Sequence, residues 1–261
     1  MQPPRALLLA LLALFAPACR EARATVSDVS PVPVPVPVPV PALPLAPPEP
    51  PPPPPPATVV SLPVPNDTPA SIVRSLSSSS PPTTVFLPGL CSNANAYLQA
   101  FPEAARRQGG VVALEGDQPC VPGFRSFSWD ASKLHARIEA ATTAAGLAEV
   151  PREGLTLVGY SQGAALAEQL VQRWPARYAR IILIGAPTEP SEKKLAEARA
   201  VVTMSCSRDV PWKMKEGTRR LLRAGVPSTY LEMPKCTHGN ISEGDATFDA
   251  AFTFLRDNAR P

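Results

Sequence analysis

Net charge is nearly absent from this chain: 25 lysines and arginines face 22 aspartates and glutamates, a formal balance of +3, with the basic residues dispersed. Such a balance argues against a nucleic-acid partner or an acidic substrate, and the charges read as a solvated surface. Histidine is scarcer still, with two in 261 residues. Any reaction that needs an imidazole therefore has two candidates. A long apolar run is missing too. The stretch Ala6 to Ala16 is too short to span a bilayer as a helix.

What the N-terminus does have is the pattern of an export signal. Arg5 precedes the apolar run, and Ala16-Pro17-Ala18-Cys19 follows it. A cleaved signal peptide over 1–18 fits this order. Two processing routes stay open. Ala-x-Ala suits ordinary signal peptidase and a periplasmic or secreted product. A cysteine directly after small residues resembles a bacterial lipobox, which would make Cys19 the lipidated residue that anchors the protein to the cell envelope.

Proline dominates the next segment: 24 of the 36 prolines precede residue 83, among them the Pro-Val repeat from Pro31 to Pro41 and the run Pro50 to Pro56. Proline fixes φ and donates no backbone hydrogen bond, so ladders of either kind are excluded there. At roughly 3 Å per residue the stretch from Pro31 to Pro56 would extend about 80 Å as a stalk. Residues 19–82 are accordingly expected to be linker, with a possible short strand at Thr58 to Leu62, and residues 83–261 to form one domain.

Within that domain, short apolar runs alternate with helical patterns. Strands are predicted at Thr84 to Leu87, Val111 to Leu114, Leu155 to Gly159, Arg180 to Ile184, Val201 to Ser205 and Thr229 to Met233. Helices are predicted at Ala94 to Gln108, Ala131 to Ala145, Ala164 to Arg173, Ser191 to Arg199, Trp212 to Ala224 and Asp245 to Arg256. Strands that are apolar nearly throughout are buried on both faces, and their alternation with helices gives an α/β class: an open, mostly parallel sheet wound on both faces. Sites in such sheets form at the carboxyl ends of the strands.

Gly159-Tyr160-Ser161-Gln162-Gly163 stands at one such end, between a predicted strand and a predicted helix. There a G-x-S-x-G can be a nucleophile elbow, with Gly159 and Gly163 letting helix and strand approach. A serine hydroxyl needs a base, and the base an orienting carboxylate. His135 lies mid-helix and precedes the serine, so the chain order Ser, acid, His selects His238. Asp209 follows the strand Val201 to Ser205 and is the first choice of acid, with Glu189 and Glu192 behind it; a helix cap before Pro211 is its structural alternative. An oxyanion would be held by two backbone N–H groups, one from Gln162 and one from the loop Pro88-Gly89-Leu90-Cys91, with Leu90 as donor.

Leu87-Pro88-Gly89-Leu90, Gly159 to Ala164, Arg208-Asp209-Val210-Pro211 and His238-Gly239, in this order, resemble the phospholipase/carboxylesterase branch of the α/β-hydrolase superfamily. The resemblance covers about 83–258 and extends imperfectly to Ser126-Phe127-Ser128-Trp129-Asp130. It departs at Pro88, where that branch usually has histidine. It implies an esterase or thioesterase with a Ser-Asp-His triad and no metal.

The expectation is thus an exported serine hydrolase acting on a small-molecule or polymer-end carboxylic ester. The link after Arg180 to Ile184 is too short for a cap domain, so the site should be open. A peptidase or acyltransferase would use the same triad, and a tethered binding module with a vestigial triad is the alternative of another class. Oligomeric state is not legible. Four cysteines beyond Cys19 suggest two disulfides. Cys206 and Cys236 close two strands that should be neighbours, and Cys91 and Cys120 follow the first two core strands, so the pairs Cys206–Cys236 and Cys91–Cys120 are predicted.

Overall fold

The structure, a computed structural model, describes residues 53–77, 80–241 and 244–261. The expected signal peptide, Cys19 and the Pro-Val repeat lie outside the described residues.

The expected linker ends earlier than residue 82. β1 (Val60–Leu62) and β2 (Ala70–Arg74) belong to the main sheet. β1 falls within the short strand expected at Thr58 to Leu62, whereas the apolar run of β2 sits among prolines and serines, which hid it, yet Ile72 and Val73 are fully buried. β2 pairs antiparallel with β4 (Gly110–Ala113), setting Ile72 opposite Val112. Burying that row against a core strand is what draws the segment out of the linker.

From β3 (Thr84–Leu87) onward the predicted strands form close to their expected bounds: β4, β7 (Leu155–Tyr160), β8 (Tyr178–Ile184), β9 (Ala200–Cys206) and β10 (Ser228–Met233). Together with β1 and β2 they make an eight-stranded sheet in the order β1-β2-β4-β3-β7-β8-β9-β10, parallel from β4 to β10. A two-stranded hairpin of β5 (Gln118–Pro119) and β6 (Arg125–Ser126) stands apart and was not anticipated.

Side chains alternate across the sheet, and each face gathers its own helices. Val85 and Leu87 pack in one cluster with Ile138 of α3 (Ala131–Ala144), Leu166 of α4 (Gln162–Arg173) and Leu221 of α5 (Trp212–Arg223). Phe86 faces the other way, toward Leu98 of α1 (Ala94–Leu98), Ala104 of α2 (Pro102–Arg107) and Phe248 of α6 (Asp245–Asn258).

Two helical expectations need correction. The stretch Ala94 to Gln108 is two helices, because Pro102 has no N–H to continue the first and instead opens the second. Ser191 to Arg199 forms turns rather than a helix. There the buried Glu168 of α4 draws in the Ser191 amide (2.9 Å) and Lys194 Nζ (3.2 Å), while Leu195 and Ala198 sink into the core. Of a helical ladder the segment keeps the bond from the Leu195 amide to the Ser191 carbonyl, at 3.1 Å. The connection from β8 to β9 consequently holds neither helix nor strand, and no cap domain arises there.

Candidate active site

Ser161 occupies the turn between β7 and α4 with φ 51° and ψ −111°, a left-handed conformation that a residue with a Cβ rarely adopts. Neighbouring contacts impose it. The Ser161 amide donates to the Ile184 carbonyl at 2.8 Å, and α4 begins at once with Gln162. Gly163 packs so tightly on the Leu87 and Pro88 carbonyls that any Cβ there would lie inside van der Waals contact. That close approach brings the start of α4 against the end of β3. The sharp turn lifts Ser161 above the sheet's carboxyl edge.

The sequence-predicted partners meet there. Ser161 Oγ lies 3.1 Å from His238 Nε2, and His238 Nδ1 lies 2.8 Å from Asp209 Oδ2. A carboxylate can only accept, so Nδ1 carries hydrogen toward Asp209 and Nε2 presents its lone pair to the serine. The other carboxylate oxygen accepts the Val210 amide at 2.7 Å, which fixes the acid's rotation. Asp209 does not cap α5, whose N-cap, Pro211, makes no side-chain cap bond. Glu189 pairs with Arg220 at 3.0 Å instead. His135 lies stacked on Trp174 with ring centroids 4.1 Å apart and shares a 2.6 Å hydrogen bond with Tyr178. It takes no part in the cluster around Ser161.

Of the two residues expected to supply backbone donors, Gln162 directly follows the serine, and Leu90 follows Gly89 in the loop that faces it. Gln162 is the first residue of α4, so its N–H has no acceptor within the helix. Its side chain is clamped in both directions to the Phe127 backbone, at 3.0 and 2.8 Å, which holds that peptide in place. In the facing loop, the Cys91 amide donates to Ser126 Oγ (2.9 Å) and the Gly89 carbonyl accepts from Ser92 Oγ (2.6 Å). The Leu90 peptide lies between these two anchors, beside Gly89, which packs against Ser161.

Three residues of the site escaped the sequence reading. Gly185 has φ +51°, and a Cβ there would sit 3.1 Å from the His238 ring and 3.3 Å from Asp209 Oδ2. A glycine directly after a core strand was the available signal. Tyr97 and Tyr160 hold the residue after the histidine: the Gly239 amide donates to the Tyr160 hydroxyl, and the Gly239 carbonyl accepts from the Tyr97 hydroxyl at 3.1 Å. Burial pushes the Tyr160 phenol up to about 12, so the hydroxyl stays neutral at working pH. Their rings lie 5.0 Å apart, but they are distant in sequence, and no local pattern links them.

Both disulfides are present. Cys91–Cys120 ties the Leu90 loop to the hairpin of β5 and β6, with Cα atoms 5.5 Å apart. Cys206–Cys236 joins the end of β9 to the turn after β10, at 5.0 Å. Among the described residues there is no cluster of three or more histidine, cysteine, aspartate or glutamate side chains that could hold a metal ion.

No protein-family model matches this sequence, and no curated protein matches it. Solved structures match in shape. An esterase of Rhizomucor miehei is 15% identical, with 77% of this chain and 83% of that one covered at a TM-score of 0.56. Carboxyl esterase 2 of Tuber melanosporum is 13% identical, with 77% and 86% covered at 0.55. The fluorophosphonate-binding serine hydrolase F of Staphylococcus aureus is 13% identical, with 77% and 98% covered at 0.53. At such identities the likeness is one of fold: the chain has the α/β-hydrolase fold.

Proposed function

We propose that this protein is a serine hydrolase that cleaves carboxylic esters through an acyl-enzyme. The observation that carries the proposal is the continuous line Ser161 Oγ, His238, Asp209, with both links at hydrogen-bond length and the serine held on a strained turn. His238 accepts the serine proton as Oγ attacks the ester carbonyl, and Asp209 stabilises the imidazolium that forms. The carbonyl oxygen becomes an oxyanion and is held by the Leu90 and Gln162 amides. Collapse expels the alcohol, which takes the proton from His238 Nε2. Water then repeats the sequence on the acyl-enzyme. The esterases that share the fold support the substrate class.

The test is covalent labelling with a fluorophosphonate probe, followed by peptide mapping. Stoichiometric modification at Ser161, with hydrolysis of p-nitrophenyl acetate, is expected. An unlabelled but folded protein would overturn the proposal, and turnover confined to peptide amides would replace the esterase by a peptidase.

We further propose that the enzyme works outside the cytoplasm, anchored through a lipid on Cys19. Two disulfides suit an oxidising compartment, and the sequence around Cys19 suits acylation. Cys19→Ser is expected to move the mature protein from the detergent phase to the aqueous phase in detergent partitioning. A mature N-terminus with an unmodified Cys19 would establish ordinary secretion instead.

A further inference from the structure

At the edge of the sheet opposite Ser161, four arginines from separate parts of the chain come together. Arg152 precedes β7, Arg180 lies near the start of β8, Arg199 directly precedes β9, and Arg260 follows α6. Parallel strands begin at one edge and end at the other. The cluster is therefore about 20 Å from the serine, the length of the six-residue β7. The geometry points to a second binding site here, for a phosphate-bearing ligand, in a cleft of about 390 Å³ lined by Arg152, Arg199 and Arg260. It is independent of the ester-cleaving activity proposed above.

Main-chain bonds hold the cluster together. The Arg199 amide donates to the Ala179 carbonyl at 2.7 Å, and the Arg260 amide donates to the Arg199 carbonyl at 3.1 Å. Arg180 Nη2 donates to the Gly154 carbonyl at 3.3 Å, and the Arg260 guanidinium donates to the Ala196 carbonyl.

Charge at this edge is unmatched. Elsewhere guanidinium groups meet carboxylates: Arg137 meets Asp67, Arg177 meets Glu139, and Arg220 meets Glu189. Here Arg180 and Arg260 bond only to carbonyls, and the guanidinium groups of Arg152 and Arg199 make no hydrogen bond or ion pair among the described residues. Glu197 is the one acidic side chain in the lining, against three arginines. Arg180 Nε is buried without a partner. Burial, and with it the charge of Arg199, holds the Arg180 guanidinium below the ordinary arginine value against the opposing pull of Glu153. Converging like charges cost the fold stability, and a ligand that neutralises them accounts for their presence.

The donors choose the ligand. Each guanidinium offers a planar fork of N–H groups that spans two oxygens of a phosphate. A planar carboxylate is satisfied by one fork, whereas a tetrahedral phosphate can be met from several directions, as Arg152, Arg199 and Arg260 meet around this cleft. Phosphate of this kind is carried by lipid headgroups and by soluble phosphate esters.

The experiment uses the full chain carrying Cys19→Ser, so that no lipid on the protein contributes. Co-sedimentation is measured with vesicles of phosphatidylcholine, and with vesicles of phosphatidylcholine and phosphatidylglycerol in equal parts. Melting is followed in sodium phosphate and in sodium chloride of equal ionic strength. Arg152→Glu with Arg199→Glu should lower partition onto the mixed vesicles by at least about thirtyfold, because each arginine at an anionic surface contributes about fivefold. Arg152→Glu alone, at an exposed position, should show at least about a fivefold loss. Glu197→Gln, which removes the opposing carboxylate, should strengthen binding. Phosphate should raise the melting temperature of the wild type by about two degrees more than that of the double variant. Vesicle binding that the double variant loses would identify a lipid headgroup, which turns the catalytic edge away from the bilayer. Stabilisation by phosphate without vesicle binding would identify a soluble phosphate ester. A wild type that responds to neither, or a double variant, folded by circular dichroism, that responds as the wild type does, would overturn the site.

Discussion

Ser161→Ala is expected to lower kcat/KM for ester hydrolysis by at least about a thousandfold while the protein stays folded. Triad members act as a unit, so losing the nucleophile removes the contribution of all three and leaves only the oxyanion donors and binding. The fold has little reason to respond. The Ser161 hydroxyl makes its hydrogen bond to His238, which is itself well exposed, and fills no part of the core. Alanine also keeps the Cβ, and with it the strain of φ 51°. Ser161→Gly separates the two effects. Glycine adopts a positive φ without a steric penalty, and conformations of this kind cost other residues on the order of 1–3 kcal/mol. The glycine variant should therefore be as inactive as alanine but melt a few degrees higher than wild type. Calorimetry on the three proteins decides it. A glycine variant no more stable than alanine would mean that the elbow is not strained, and residual activity above about a thousandth would mean that Ser161 is not the nucleophile.

The serine was legible in the sequence because a predicted strand and a predicted helix on either side gave the pentapeptide its context. An elbow needs small residues on either side of the serine, because helix and strand cross there without room for a Cβ, and Gly159 and Gly163 record that need in a five-residue window. The order of serine, aspartate and histidine along the chain follows equally from parallel strands that deliver their loops to one edge. The parts that were not legible depend on contacts made at a distance. β2 reads as linker because its apolar run is short and lies between prolines; only the antiparallel pairing with β4 makes it a strand. Ser191 to Arg199 has helical spacing but forms turns, with Leu195 and Ala198 sunk into the core and Ser191 and Lys194 held by Glu168 of α4. Tyr97 and Tyr160 meet across the Gly239 peptide although neither sits in a pattern that announces the other. Local rules mark the nucleophile, and tertiary packing assembles what steadies it.

Removing the second disulfide, by Cys206→Ser with Cys236→Ser, is expected to cost both stability and activity, with activity failing first on warming. Its position explains why. Cys206 is the last residue of β9 and lies opposite Met233 of β10, and Asp209 and His238 follow the two cysteines within a few residues. Backbone bonds at the same place reinforce the link: the Asp209 amide donates to the Cys206 carbonyl at 3.1 Å, and the Arg208 amide to the Cys236 carbonyl at 3.1 Å. The acid and histidine loops thus share one anchor. Closing a loop between residues 30 apart stabilises a fold by about 3–4 kcal/mol in the chain-entropy model. Without the bridge, the two loops can separate at their bases before the sheet melts, and the carboxylate-to-imidazole hydrogen bond breaks first. The expected record is a variant whose kcat declines tenfold or so below its melting midpoint while far-ultraviolet circular dichroism is unchanged, since orientation errors near 1 Å cost on the order of a hundredfold. Reduction offers an independent route. Cys206 and Cys236 are buried, so mild reductant acting on the folded enzyme should open Cys91–Cys120 and spare the triad's bridge. Activity toward short esters should survive that treatment and disappear only when a denaturant admits the reductant to the core. Loss of activity in step with the first bridge, or a double variant that holds full kcat up to its melting point, would show that the acid and histidine loops do not depend on Cys206–Cys236.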